Sequence, residues 1–322
     1  MIDSTIGKPN PEKLLVTGVD GIVGANLALS LANRFAVLGL FRQRAVSPHG
    51  CRTAPWDPAD RGQLAGLLRR EAPHWIIHCG PLACGSWDLP ETCPNGDDEA
   101  RVCTLLAELC SESGSRLTVI STDAVFAGPR LFHDERAAVT SHRPIARAAC
   151  QAEESLEASG ALVVRTHAYG WSPAGAQPGF AEQAWQILRE AAPGRFDPHR
   201  HATPILASDL AEIVWLAYRR GLEGLYHIAG AERTSAYRFA HDLATVFGFM
   251  GDPVPADDQP PPDPEVDHLH ETSLGTRRVR QDLGCPLPML RDGLERFAAQ
   301  AGNGFRDRLR ALVSPVPQLH AA

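Results

Sequence analysis

A short apolar run, Lys13-Leu14-Leu15-Val16-Thr17-Gly18, gives way to a stretch over 22–33 whose apolar residues recur at helical spacing. That change of period predicts a strand leading into a helix. The pattern returns along the chain: 36–40, 74–78, 117–120 and 161–164 read as further strands, with helices predicted over 63–70, 99–111 and 153–158. Trp75-Ile76-Ile77 shows no polar alternation, which suits a parallel strand buried on both faces. Strands alternating with helices imply an α/β fold, a parallel sheet covered on both sides.

Beyond residue 170 the rhythm loosens. Proline-rich stretches at 177–179 and 253–264 interrupt it, while 209–219, 237–247 and 290–299 look helical, with Ser208 and Ser235 as caps for the first two. The expected organisation is a doubly wound sheet over 11–170 and a smaller mixed region over 171–322, with part of 203–230 returning to the first.

Composition narrows the function class. The 322 residues are 44% hydrophobic and 21% charged, a globular balance with room for a large core. The net charge of −7 comes without a basic cluster, which argues against nucleic acid as a partner. No apolar run reaches the ~18 residues of a membrane span, and Met1 to Lys13 lacks an apolar secretory core, so the expectation is a cytoplasmic protein. None of the eight cysteines is spaced as Cys-x-x-Cys; Cys79, Cys84, Cys93, Cys103 and Cys110 read as small packing residues, with no metal site expected.

Gly18-Val19-Asp20-Gly21-Ile22-Val23-Gly24 lies where the first strand meets the first helix. Positions without side chains there let backbone amides approach a pyrophosphate at the positive helix end. The spacing Gly-x-x-Gly-x-x-Gly is that of a dinucleotide loop or of a plain tight turn, and Asp20 would repel a phosphate unless it pointed away. After the second strand stands Phe41-Arg42-Gln43-Arg44 rather than an acidic residue for a ribose hydroxyl. Its guanidinium groups suit a 2′-phosphate, favouring NADP(H) over NAD(H), or they simply solvate a loop.

The glycine loop, taken with Ser121-Thr122-Asp123-Ala124-Val125-Phe126-Ala127-Gly128, resembles the extended short-chain dehydrogenases, and within them the dTDP-4-dehydrorhamnose reductase branch. Arg165-Thr166 with Tyr169-Gly170, Thr203-Pro204 with Asp209-Leu210-Ala211, Gly224 to Gly230, and Leu290-Arg291-Asp292-Gly293-Leu294 extend the likeness over nearly the whole chain. The resemblance implies a Rossmann-type sheet and a sugar-nucleotide ligand. It implies a cofactor set of Gly18, Gly21, Ile22, Val23, Gly24, Arg42, Arg44, Asp57, His78, Cys79, Gly80 and Ser121, with Thr122 as the catalytic hydroxyl.

The resemblance breaks at the proton chemistry. Family members pair that hydroxyl with Tyr-x-x-x-Lys, the phenol protonating the alkoxide that hydride transfer creates. Here the tyrosines are Tyr169, Tyr218, Tyr226 and Tyr237, followed four residues on by Pro173, Leu222, Gly230 and His241. One register places the pair at Ala148 and Ala152, the other at Ile145 and Ala149. The helix asparagine of the family falls at Arg101. Substitute acids would have to come from His133, Asp134, Glu135 or His142, and Cys150 lies near the lost pair. Two functions remain open: a dinucleotide-binding sensor or regulatory subunit, a use that the regulatory subunit of methionine adenosyltransferase makes of the same branch, or a reductase of a nucleotide-linked 4-keto sugar with a replacement acid. A protein partner or a second copy of the chain would suit the first.

Overall fold

The computed structural model describes residues 11–89, 95–192, 194–251, 253–256 and 270–311. Seven strands form one sheet: β1 (Lys13–Thr17), β2 (Ala36–Phe41), β3 (Cys51–Pro55), β4 (Trp75–His78), β5 (Arg116–Thr122), β6 (Leu162–Thr166) and β7 (Gly224–His227). They are all parallel, in the order β7-β6-β5-β4-β1-β2-β3. The chain winds outward from β1 through β2 to β3, then restarts at β4 on the other side of β1. That reversal leaves a crevice beyond the carboxyl ends of β1 and β4, where open α/β sheets bind ligands.

Successive residues of the strands enter opposite cores. In β4, Trp75 and Ile77 join Leu27, Leu31 and Val214 on one face, while Ile76 joins Leu64, Leu106 and Ile145 on the other. The first face is covered by α1 (Ile22–Leu31) and α6 (Ala207–Arg220), and Tyr218 stacks on Trp75 at 4.3 Å. The second is covered by α2 (Arg61–Glu71), α3 (Gly96–Ser113) and α4 (Pro144–Glu154). The helix expected over 153–158 is thus replaced by one that ends at Glu154. Pro144 at its first turn is preset for a helix start, and the alanines that follow have the highest helix propensity.

The capping chemistry is local. Asp60 accepts the amide of Gln63 at the start of α2, and Asn95 that of Asp97 at the start of α3, which ends at Gly114 in the left-handed region. Ser235 caps α7 (Ala236–Phe247) by accepting the amide of Arg238. Ser208 does not cap α6; it lies inside that helix and accepts a bond from Gln300 instead.

A third core gathers Trp171, Trp185, Phe239 and Phe297 from α5 (Phe180–Arg189), α7, α8 (Leu290–Gly302) and the loop after β6. Residues 207–227 leave this region, with α6 packing on α1 and β7 pairing with β6. The joint is polar and fully buried. Asp123 accepts the Ser86 amide at 2.7 Å, His167 Nδ1 at 2.8 Å and the Thr272 hydroxyl at 2.5 Å, binding the β4 loop, the β6 end and the C-terminal segment at one carboxylate. No helix among the described residues is long and apolar enough to cross a membrane.

Candidate functional site

The crevice holds a cavity of about 390 Å³ that adjoins a larger one of about 1350 Å³. The glycine loop forms the floor of the smaller. Gly18 has φ +68°, and a Cβ there would lie 1.8 Å from the Cys79 carbonyl oxygen; a Cβ at Gly24 would lie 2.2 Å from the Gly18 oxygen. Those two positions are glycine because backbone crosses backbone. Gly21 is different, since its Cβ would meet only the Gly18 oxygen at 3.4 Å, and its openness faces the cavity. The first helical bond of α1 runs from Ala25 to Gly21, so the amides of Ile22, Val23 and Gly24 stand at the positive helix end. An anion fits there.

Asp20 also borders that cavity, with its carboxylate engaged by backbone. Its carboxylate accepts the amides of Gln43 at 3.0 Å and Arg44 at 3.4 Å, so the acidic residue inside the glycine loop fixes the turn after β2. Arg42 and Arg44 line the smaller cavity, and Arg44 Nε is buried with no bonded partner among the described residues. A donor in that state is suited to an incoming acceptor. Asp57 lines the larger cavity, and His78, Cys79 and Gly80 line the smaller.

The end of β5 behaves otherwise. The Ser121 hydroxyl donates to Glu153 at 2.6 Å, and Glu153 also takes a bidentate bond from Arg165. The Thr122 hydroxyl accepts the Ala124 amide at 3.0 Å, and its side chain is wholly buried. Neither lines either cavity. On α4, Ile145, Ala148, Ala149 and Ala152 are all in the core. A Cβ on Gly96 would sit 2.9 Å from Ala148 Cα, so the start of α3 occupies the space beside the position where one register puts a phenol.

The suggested substitute acids lie elsewhere. His133 is buried and stacked on Phe126 at 4.1 Å, and burial lowers its pKa. Glu135 accepts the His227 amide, Asp134 caps its own turn through Arg136, and His142 is exposed. Cys150 borders a separate cavity of about 530 Å³.

Two carboxyl groups that the sequence reading overlooked do face the crevice. Asp88 lines both cavities, takes the Phe180 amide, and is raised by burial. Glu99 lines both as well; Arg101, at the position of the family's asparagine, is exposed, lines the larger cavity and lies 3.7 Å from Asp98. The signal was the spacing Glu99, Cys103, Leu106, Cys110, which is the buried stripe of α3. Glu99 bonds to His78 Nε2 at 2.9 Å, and His78 Nδ1 lies 2.7 Å from the Thr17 hydroxyl. Cys79, also at the crevice, is held as a thiol because burial pushes its pKa up.

Comparison with known proteins places this architecture. A family model described as the RmlD substrate binding domain matches residues 12–302. The chain belongs to that family. A search of curated protein sequences finds no match. Among solved structures it is similar to a hypothetical dTDP-4-dehydrorhamnose reductase from Sulfolobus tokodaii, at 21% identity and TM-score 0.69, covering 84% of this chain and 94% of that one. It is similar also to dTDP-4-dehydrorhamnose reductase from Bacillus anthracis in complex with NADP, at 18% identity and TM-score 0.69, covering 91% and 99%. WbmG from Bordetella bronchiseptica in complex with NAD and UDP matches at 16% identity and TM-score 0.73, covering 95% and 100%. Identities this low carry the RmlD-type fold and leave the chemistry to the site.

Proposed function

We propose that this RmlD-family chain binds NADP(H) in the crevice and a sugar nucleotide in the adjoining cavity, and that it serves as a binding or regulatory protein without the family's reductase step. The amides of Ile22, Val23 and Gly24 receive the pyrophosphate, and Arg42 with Arg44 Nε, unpartnered among the described residues, receives the 2′-phosphate. Bound NADP in the Bacillus anthracis reductase and bound NAD and UDP in WbmG support both ligands.

One observation carries the loss of reduction. Helix α4 presents Ile145, Ala148, Ala149 and Ala152 to the core, with α3 packed against them, and the Thr122 hydroxyl serves the Ala124 amide. The hydride would have a donor, and the alkoxide would have no phenol. A positioned general acid contributes ~10²–10⁴-fold, so standard turnover falls by that order. The test is calorimetric titration with NADPH beside an assay on a nucleotide-linked 4-keto sugar: binding without turnover supports the proposal, and no NADPH binding removes it.

A second reading rests on Asp88. Its carboxyl faces both cavities and is raised by burial, the direction that favours a proton donor, so it is the candidate acid of a 4-keto-sugar reductase. Robust wild-type turnover that is lost in Asp88→Asn selects this reading.

A further inference from the structure

We infer that His78, Glu99 and Cys103 form a binding site for a borderline divalent cation of the zinc type, set in the wall of the crevice. The imidazole, carboxylate and thiol ligand atoms all lie within 4.8 Å of one another, and all three residues are buried. Glu99 and Cys103 stand four residues apart on α3, one turn on the same face, and His78 comes from the end of β4. Their placement owes nothing to the Cys-x-x-Cys spacing that a sequence search for zinc ligands relies on.

Independent observations point to a cation. Glu99 is 5% exposed, and its bonded partner is an imidazole rather than a guanidinium or ammonium. A carboxylate so placed is stabilised by a positive species beside it. The Thr17 hydroxyl oxygen already accepts the Cys79 amide at 3.2 Å and lies 2.7 Å from His78 Nδ1. In the metal-free chain the Thr17 hydroxyl can donate to Nδ1 while Nε2–H donates to Glu99; with the ring turned to the other tautomer, Nδ1–H donating to Thr17, the Nε2 lone pair and the Glu99 oxygen, 2.9 Å apart, both face a shared cation. The Thr17 contact is the outer partner that fixes the tautomer of a metal-binding histidine.

Room and access are built in. A Cβ at residue 80 would lie 2.1 Å from Glu99 Oε1 and 2.6 Å from His78 Nε2, so Gly80 is what leaves space for the cluster. His78 and Glu99 line the smaller cavity, which supplies an entry path and a water for a fourth position. One nitrogen, one oxygen and one sulfur with an open position is a donor set for zinc rather than for magnesium or calcium. On binding, the Cys103 S–H bond breaks, its proton passes to solvent, and the thiolate takes the metal.

The test uses the full chain, stripped with chelator and titrated with Co²⁺ and then Zn²⁺. The expected result is one metal per chain and a thiolate-to-cobalt charge-transfer absorption, displaced by Zn²⁺. It disappears in Cys103→Ser and persists in Cys79→Ser and Cys84→Ser, the thiols that line the crevice. His78→Gln and Glu99→Gln each weaken binding by ~100-fold or more, and Thr17→Val by ~10–100-fold. X-ray absorption of the zinc-loaded wild type should find a single sulfur neighbour, a readout that does not depend on any variant folding. No cobalt–thiolate absorption, absorption that survives in Cys103→Ser, or a sulfur count other than one would overturn the assignment.

Discussion

Gly18 and Gly21 look alike in the sequence and differ in what they tolerate. Gly18→Ala would force a Cβ onto the Cys79 carbonyl at a φ of +68°, a conformation costing of order 1–3 kcal/mol before the clash is added. It should lower the melting temperature as well as abolish NADPH binding. Gly21→Val should leave the melting temperature near wild type and still remove binding, because the added side chain projects into the cavity. Arg44→Ala should weaken NADPH by about tenfold or more and NADH little, the difference that a charge-assisted bond to the 2′-phosphate predicts. Equal losses for both cofactors would remove Arg44 from specificity. The glycine spacing and the arginines were legible because each follows from local backbone and charge. The direction of Asp20 was not, since its partners, Gln43 and Arg44, lie across the next strand.

At the scale of elements, most strands and helices of the sheet could be read from apolar period. β3 and β7 could not. β3 is a half-exposed edge strand with the pattern Cys51-Arg52-Thr53-Ala54-Pro55, and β7 arrives only after a helical excursion through α6. The burial of α4 against α3 was equally hidden, because alanines give no hint of whether they line a cleft or a core. It changes an engineering expectation. Ala148→Tyr with Ala152→Lys will not restore a catalytic pair; a phenol beside Gly96 overpacks the helix contact, and a destabilisation of ~1–3 kcal/mol should appear as a lower denaturation midpoint with no gain in turnover. Burial also sets a pH dependence at the end of β7. His227 is lowered from 6.5 to about 3 chiefly by burial, with its Nε2 unbonded among the described residues. Between those values the unfolded chain binds a proton that the folded chain refuses, so stability is full above about pH 6.5 and falls as pH drops through this window. His227→Gln should flatten that part of a melting-temperature profile; an unchanged slope would show that other groups carry it.

For the whole molecule, two kinds of site share one crevice edge: a backbone cradle with arginines for an anion, and an inward-facing stripe of α3 that carries Glu99 and Cys103. The first is written in contiguous motifs. The second joins residues 78, 99 and 103 only once β4 and α3 are packed, which is why the cysteine spacing gave no warning of it. The positions of the family's proton machinery lie on α4, which packs against α3 and presents them to the core. The central claim is therefore that cofactor binding and reduction are separable here, and the fluorescence of NADPH reads both at once. Mixed with excess protein and then with a nucleotide-linked 4-keto sugar, NADPH should show the altered emission of a bound nicotinamide and hold it unchanged over many minutes. Emission that never departs from that of free NADPH, or that decays as the sugar is reduced, would contradict the account.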